Sequence, residues 1–144
     1  MLTLLLLFCP WASGATISVD ANGSGQFTTI QSAIWAASDG DVIEVSSGTY
    51  GESLNTHDKN LTILSSKGKT ETSIDASGAN WVIKTGNADL QLSGFTIRNV
   101  GGRGVYSTGG EITVEDTLFT NLGTDKGDGG ALHLTNTVTT ISDS

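Results

Sequence analysis

The sequence predicts an all-β parallel β-solenoid opened by one short helix, and three observations carry that prediction. A strand–turn pattern recurs along the second half of the chain at offsets of 22 and 27 residues. Short β-branched runs are punctuated by glycine, and Gly accounts for 19 of 144 residues against a single Pro. Only one segment has an apolar stripe at helical spacing.

The elements follow in order. Met1 to Val19 has no charged side chain, and Leu2 to Trp11 is a dense apolar run followed by Ala12-Ser13-Gly14-Ala15. That order reads as a signal peptide over residues 1–14, although no Lys or Arg precedes the leucines. The run is too short for a membrane span, which needs about 20 apolar residues. The competing reading is a buried N-terminal strand. Residues 15–59 then form a cap and first coil. Their helix is predicted over 28–38, with Thr28 and Gln31 at capping-box spacing, Ile30, Ala33, Ile34 and Ala37 on one face, and Gly40 at the C-terminal end. Trp35 falls off the apolar stripe. Ile17–Val19, Val42–Val45 and Leu61–Leu64 read as strands.

Residues 60–144 are predicted to be stacked coils. Leu90, Leu92, Ile97 and Val100 align with Ile112, Val114, Phe119 and Leu122, and Asn99 aligns with Asn121. Leu61-Thr-Ile63 repeats the same opening, and Thr140-Ile141 aligns with Thr113-Val114. Val82, Val105 and Leu132 are placed in one phase, and Asn99 and Asn121 are expected to bond neighbouring coils at a turn. One coil cannot bury its apolar side alone, so neighbours must stack, with parallel strands about 4.8 Å apart. Ser144 stops inside a strand–turn unit, so the chain reads as part of a longer protein, or else as a short protein whose open end a partner covers.

The run Phe27-x-x-Ile30-Gln31-x-Ala33-Ile34, then Gly40-Asp41-x-Ile43-x-Val45, then Gly48-x-Tyr50-x-Glu52 resembles the opening of pectin-lyase-like right-handed parallel β-helix proteins. Phe119-x-Asn121 and Gly129-Gly130-Ala131-Leu132 resemble the looser repeats of polymorphic outer-membrane and adhesin-type proteins. The resemblance spans about residues 16–144 and implies a right-handed β-helix. It implies no single activity, because that scaffold carries lyases, hydrolases, esterases and adhesins.

Composition narrows the function. A net charge of -8 excludes the clustered basic surface of a nucleic-acid binder. One Cys excludes an internal disulfide framework. Asp125 and Asp128 form the most polar loop and are the one place where calcium is considered, through oxygen ligands, against an ordinary Asp/Gly turn. His133, between two leucines, should face outward, as should Arg98, which either clamps a sugar carboxylate or bridges to a neighbouring coil. Trp81, Tyr106 and Trp35 are candidate sugar-stacking platforms or packing residues. His57 reads as solvated, and Asp39 and Asp41 as turn residues. No constellation matching the lyases, esterases or hydrolases of the fold is present, so no catalytic residue or cofactor is assigned. The expected function is a secreted or cell-surface scaffold facing extracellular polysaccharide or a surface glycan. The alternative is a fragment of a polysaccharide-active enzyme.

Overall fold

The structure, a computed structural model, describes residues 14–99, 101–123 and 130–143. It is an all-β parallel solenoid of about five turns with one short helix. Strand β1 (Thr16–Val19) precedes helix α1 (Ile30–Ala36). The chain then circulates through three sheets. β2 (Val42–Val45), β5 (Leu61–Ser65), β8 (Leu90–Ser93), β11 (Glu111–Glu115) and β14 (Val138–Ser142) extend β1 into the first sheet. β3 (Gly48–Tyr50), β6 (Thr72–Asp75), β9 (Thr96–Arg98) and β12 (Leu118–Thr120) form the second. β4 (Leu54–Asn55), β7 (Trp81–Thr85), β10 (Arg103–Ser107) and β13 (Leu132–Leu134) form the third. Every pairing between these strands is parallel.

Three apolar ladders fill the interior. Ile17, Ile43, Ile63, Leu92 and Val114 stand buried in register on the first sheet, and Ile141 continues the row on β14, where it is 52% exposed. Tyr50, Ile74, Ile97 and Phe119 do so on the second, and Leu54, Ile83, Val105 and Leu132 on the third. Each fully buried aliphatic side chain contributes about 1.5–3 kcal/mol of burial free energy. The expected register of Leu90 with Ile112 and of Val114 with Ile141 is the one observed.

The opening motif closes the solenoid's first end. Ile30, Ala33 and Ile34 of α1 are fully buried against the core. The N-cap is Thr29 rather than Thr28: its side chain accepts from the Ser32 amide. Gln31 is therefore not a capping-box partner. Its Nε2 donates to the Asn55 carbonyl (3.2 Å) and its Oε1 accepts from the Asn55 amide (2.8 Å), so one side chain pairs with the open edge of the third sheet. Unpaired strand edges invite association, and this contact blunts one. Glu52 accepts from the amides of Ile30 and Gln31, both at 2.9 Å. Lys59 Nζ donates to the carbonyls of Ile34 (2.8 Å), Trp35 (3.0 Å) and Ala37 (2.7 Å). The helix is thus capped at both ends by the first coil, satisfying groups a helix end cannot satisfy alone. Gly40 is not the C-cap: the helix ends in extended Ala37, and Gly40 (φ 86°) forms the turn into β2. Asp41, nearly buried, accepts from the amides of Ala15 (2.7 Å) and Ser38 (2.8 Å).

Tyr50 of the motif is buried, and its hydroxyl donates to the Ser46 carbonyl (3.0 Å). Burial raises its pKa above the usual phenol value; the Ala21 amide opposes this, and the charges of Asp20 and Glu52 add to it. A phenol whose pKa rises on folding stabilises the native state fully below about pH 10, and that contribution is lost as pH climbs through the folded value. Melting curves should therefore show an alkaline loss of stability above about pH 10 that is smaller in Tyr50→Phe.

Two register expectations are corrected. Ile83, not Val82, stands opposite Val105. Val82 and Ile83 are both fully buried, which breaks strict alternation, and Gly104 occupies the place opposite Val82. A Cβ there would meet the Ala131 carbonyl at 2.5 Å and the Phe119 ring at 3.0 Å. Asn99 is buried and donates to the Ala79 carbonyl of the preceding coil (2.9 Å), but Asn121 is exposed with a left-handed φ of 53° and is not its equivalent. The polar ladder lies instead at the corner before the first sheet. There Asp39 accepts from the Asn60 amide, Asn60 from that of Asp89, and Asp89 from that of Glu111 (3.1, 2.9 and 2.8 Å).

Candidate functional site

The outward face of the third sheet gathers most of the polar and aromatic groups with chemistry to offer. β7 and β10 share one burial pattern, in which the first and fourth residues point outward. Register therefore places Trp81 beside Arg103, and aligns Asn55, Lys84, Tyr106 and His133 across four coils. The Trp81 and Tyr106 rings stack with centroids 5.7 Å apart, and those of Tyr106 and His133 at 5.2 Å with planes 8° apart. Such offset stacks contribute about 0.5–1.5 kcal/mol beyond area burial. Lys84 Nζ lies 5.1 Å from the Trp81 ring centroid and the Arg103 guanidinium 6.0 Å from that of Tyr106. The faces of Tyr106 are turned toward Trp81 and His133, so it meets solvent by its edge and hydroxyl. The aromatic row is a rigid wall rather than a set of free platforms.

Beside this wall lies a cleft of about 360 Å³, lined by Asn55, Asp58, Lys84, Asn87, Tyr106 and Thr108 among others. Its floor depends on two glycines. A Cβ on Gly86 would overlap the Asp58 carboxylate, and one on Gly109 would overlap the Asn87 amide oxygen. Each polar side chain therefore rests on a glycine of the next coil. The rim is the turn His57–Asp58, where both residues adopt left-handed conformations (φ 53° and 58°). Such non-glycine conformations cost about 1–3 kcal/mol each and persist where the surroundings over-determine them. Here Asn55 Oδ1 accepts from the His57 amide (2.9 Å), the Thr56 amide donates to the Lys84 carbonyl (3.0 Å), and Trp35 Nε1 donates to His57 Nε2 (3.2 Å). Accepting at Nε2 assigns the proton of the neutral imidazole to Nδ1.

The sequence-derived candidates divide accordingly. Trp81, Tyr106 and His133 come together. Trp35, 65% exposed, joins the edge of the site through His57, so His57 is a structural part of the cleft rather than a merely solvated residue. Arg98 is exposed, as expected, but belongs to the second sheet, opposite Asp75 in register; among the described residues it forms no ion pair, and Lys69–Asp116 (2.9 Å) is the bridge seen between coils. Asp125 and Asp128 lie outside the described residues. No group of three His, Cys, Asp or Glu converges as metal ligands among the described residues. Lys84, Asp58 and Asn87 were not singled out from sequence; their signal was the glycine pair 86 and 109, which becomes readable only in the correct register.

No protein-family model, curated protein or solved structure matches the chain.

Proposed function

We propose that this chain is an extracellular β-solenoid of the pectin-lyase-like, right-handed kind, serving as a carbohydrate-facing or adhesive scaffold. The observation that carries the reading is the third-sheet face, where a stacked aromatic wall borders a preorganised polar cleft. Carbohydrate sites combine apolar ring surface with a few placed hydrogen-bonding groups, and both are here side by side. Export rests on the sequence alone, on the apolar run Leu2–Trp11 and the small residues after it. The resemblance of the opening motif supports the family, and the caps made by Gln31, Glu52 and Lys59 give that motif a physical purpose.

The full chain is expected to bind saccharides on a glycan array and to release no product from them. Tyr106→Ala, which removes the hydroxyl at the cleft and the ring that braces Trp81 and His133, should weaken retained binding about 3- to 10-fold, the equivalent of one hydrogen bond. Product formation from any polysaccharide would favour the competing reading, an enzyme of the same scaffold. Absence of binding to every saccharide would overturn the proposal.

A further inference from the structure

The cleft contains one carboxylate and one ammonium that do not neutralise each other. Asp58 and Lys84 both line it, yet no ion pair joins them, and neither the Asp58 carboxylate nor the Lys84 ammonium makes a hydrogen bond with another described group. Their positions are held rather than free. Asp58 sits on the Gly86 backbone at the end of a left-handed turn. Lys84 is carried on β7 with its ammonium near the Trp81 ring. The other polar side chains on the lining are the amides and hydroxyls of Asn55, Asn87, Tyr106 and Thr108, each able to donate and to accept, and the imidazole of His57, whose Nε2 already accepts from Trp35.

We infer that this cleft recognises a neutral saccharide, with vicinal hydroxyls bridging the Asp58 carboxylate and the Lys84 ammonium. The inference rests on the carbohydrate-facing reading and specifies its ligand. A hydroxyl donates and accepts at once, so two adjacent hydroxyls satisfy an acceptor-only carboxylate and a donor-only ammonium together. An anionic ligand would bring a second negative charge against Asp58, and a cationic one a second positive charge against Lys84; like-charge placement is what excludes wrong partners. A ligand without net charge meets neither penalty. The strained, cross-braced turn adds preorganisation, which raises affinity by removing ordering costs at binding.

The test is calorimetric titration of the full chain with cellotetraose, mannotetraose and galactotetraose, and with trigalacturonate as the anionic comparison, at low and high salt. At least one neutral tetrasaccharide should bind with an affinity that changes less than about twofold with salt, because no net charge is transferred. Asp58→Asn, which is isosteric, and Lys84→Met, which keeps the stem against Trp81, should each weaken that binding about tenfold or more, as expected for a hydrogen bond to a charged group. Gly86→Ala, which displaces the Asp58 carboxylate without altering its chemistry, should weaken binding to a similar degree while Asp58→Asn remains as a folded control of the same contact. Preferential, salt-sensitive binding of trigalacturonate, or neutral binding unaffected by Asp58→Asn, would overturn this inference and leave the carbohydrate-facing reading standing. Failure of all four saccharides would overturn this inference, while the carbohydrate-facing reading falls only if the glycan array also shows no binding.

Discussion

Phe95→Ala is expected to destabilise the protein by about 3–5 kcal/mol, the largest effect of any single truncation here. Phe95 is the largest fully buried side chain among the described residues, placed between β8 and β9 with its carbonyl accepting from the Leu118 amide (2.8 Å). The next coil has Thr117 in that place, also fully buried, with its hydroxyl donated to the Glu115 carbonyl (2.7 Å). One coil thus fills the corner with an aromatic ring and the next with a smaller, internally bonded side chain. Stacked coils cannot slide to close a cavity without breaking their ladders, so little relaxation is available. Domains have about 5–15 kcal/mol of stability in total, so chemical denaturation should show a midpoint far below that of the parent chain. A loss below about 1 kcal/mol would mean that this corner is not packed as described.

Lys59→Met carries the second-largest expected effect, about 2–3 kcal/mol. The side chain keeps its apolar stem but leaves the carbonyls of Ile34, Trp35 and Ala37 without the ammonium that donates to all three. Hydrogen bonds to charged groups are worth about 1.5–3 kcal/mol, and the carbonyl lost from each pairing must be resolvated. Glu52→Ala removes the opposite cap, at Ile30 and Gln31. The two substitutions act on one seven-residue helix, so their effects should sum to less than the separate losses. Hydrogen exchange should show protection lost first in α1 and in the Asn55 edge that Gln31 covers. Uniform loss across all coils would argue that the helix is not a separately capped unit.

The solenoid and its first-sheet register were legible because that sheet alternates strictly. Leu90 with Leu92 and Ile112 with Val114 announce an inward face at a period of two, and the repeated strand opening then aligns the coils although their offsets differ. The third sheet was legible only to within one residue. Two adjacent inward residues, Val82 and Ile83, break the period, and the compensating Gly104 has no side chain to signal its facing. A slip of one residue moves every side chain to the other face, which is why Lys84 was not grouped with Tyr106 and His133 beforehand. The corner ladder of Asp39, Asn60 and Asp89 was equally hidden, since its members are 21 and 29 residues apart and differ in residue type. Asp58 enters the site through a left-handed turn that local sequence preference does not announce, because Asp is only an occasional resident of that region.

The proposed saccharide-binding face is built by coil register on the third sheet. Amide chemical-shift mapping of the full chain with its tightest-bound saccharide tests it most directly. Perturbations are expected to concentrate at residues 55–58, 84–87 and 106–108, which are distant in sequence and adjacent across three coils. Perturbations centred instead on the polar outer face of the first sheet, around Gln91 and Thr113, would contradict it.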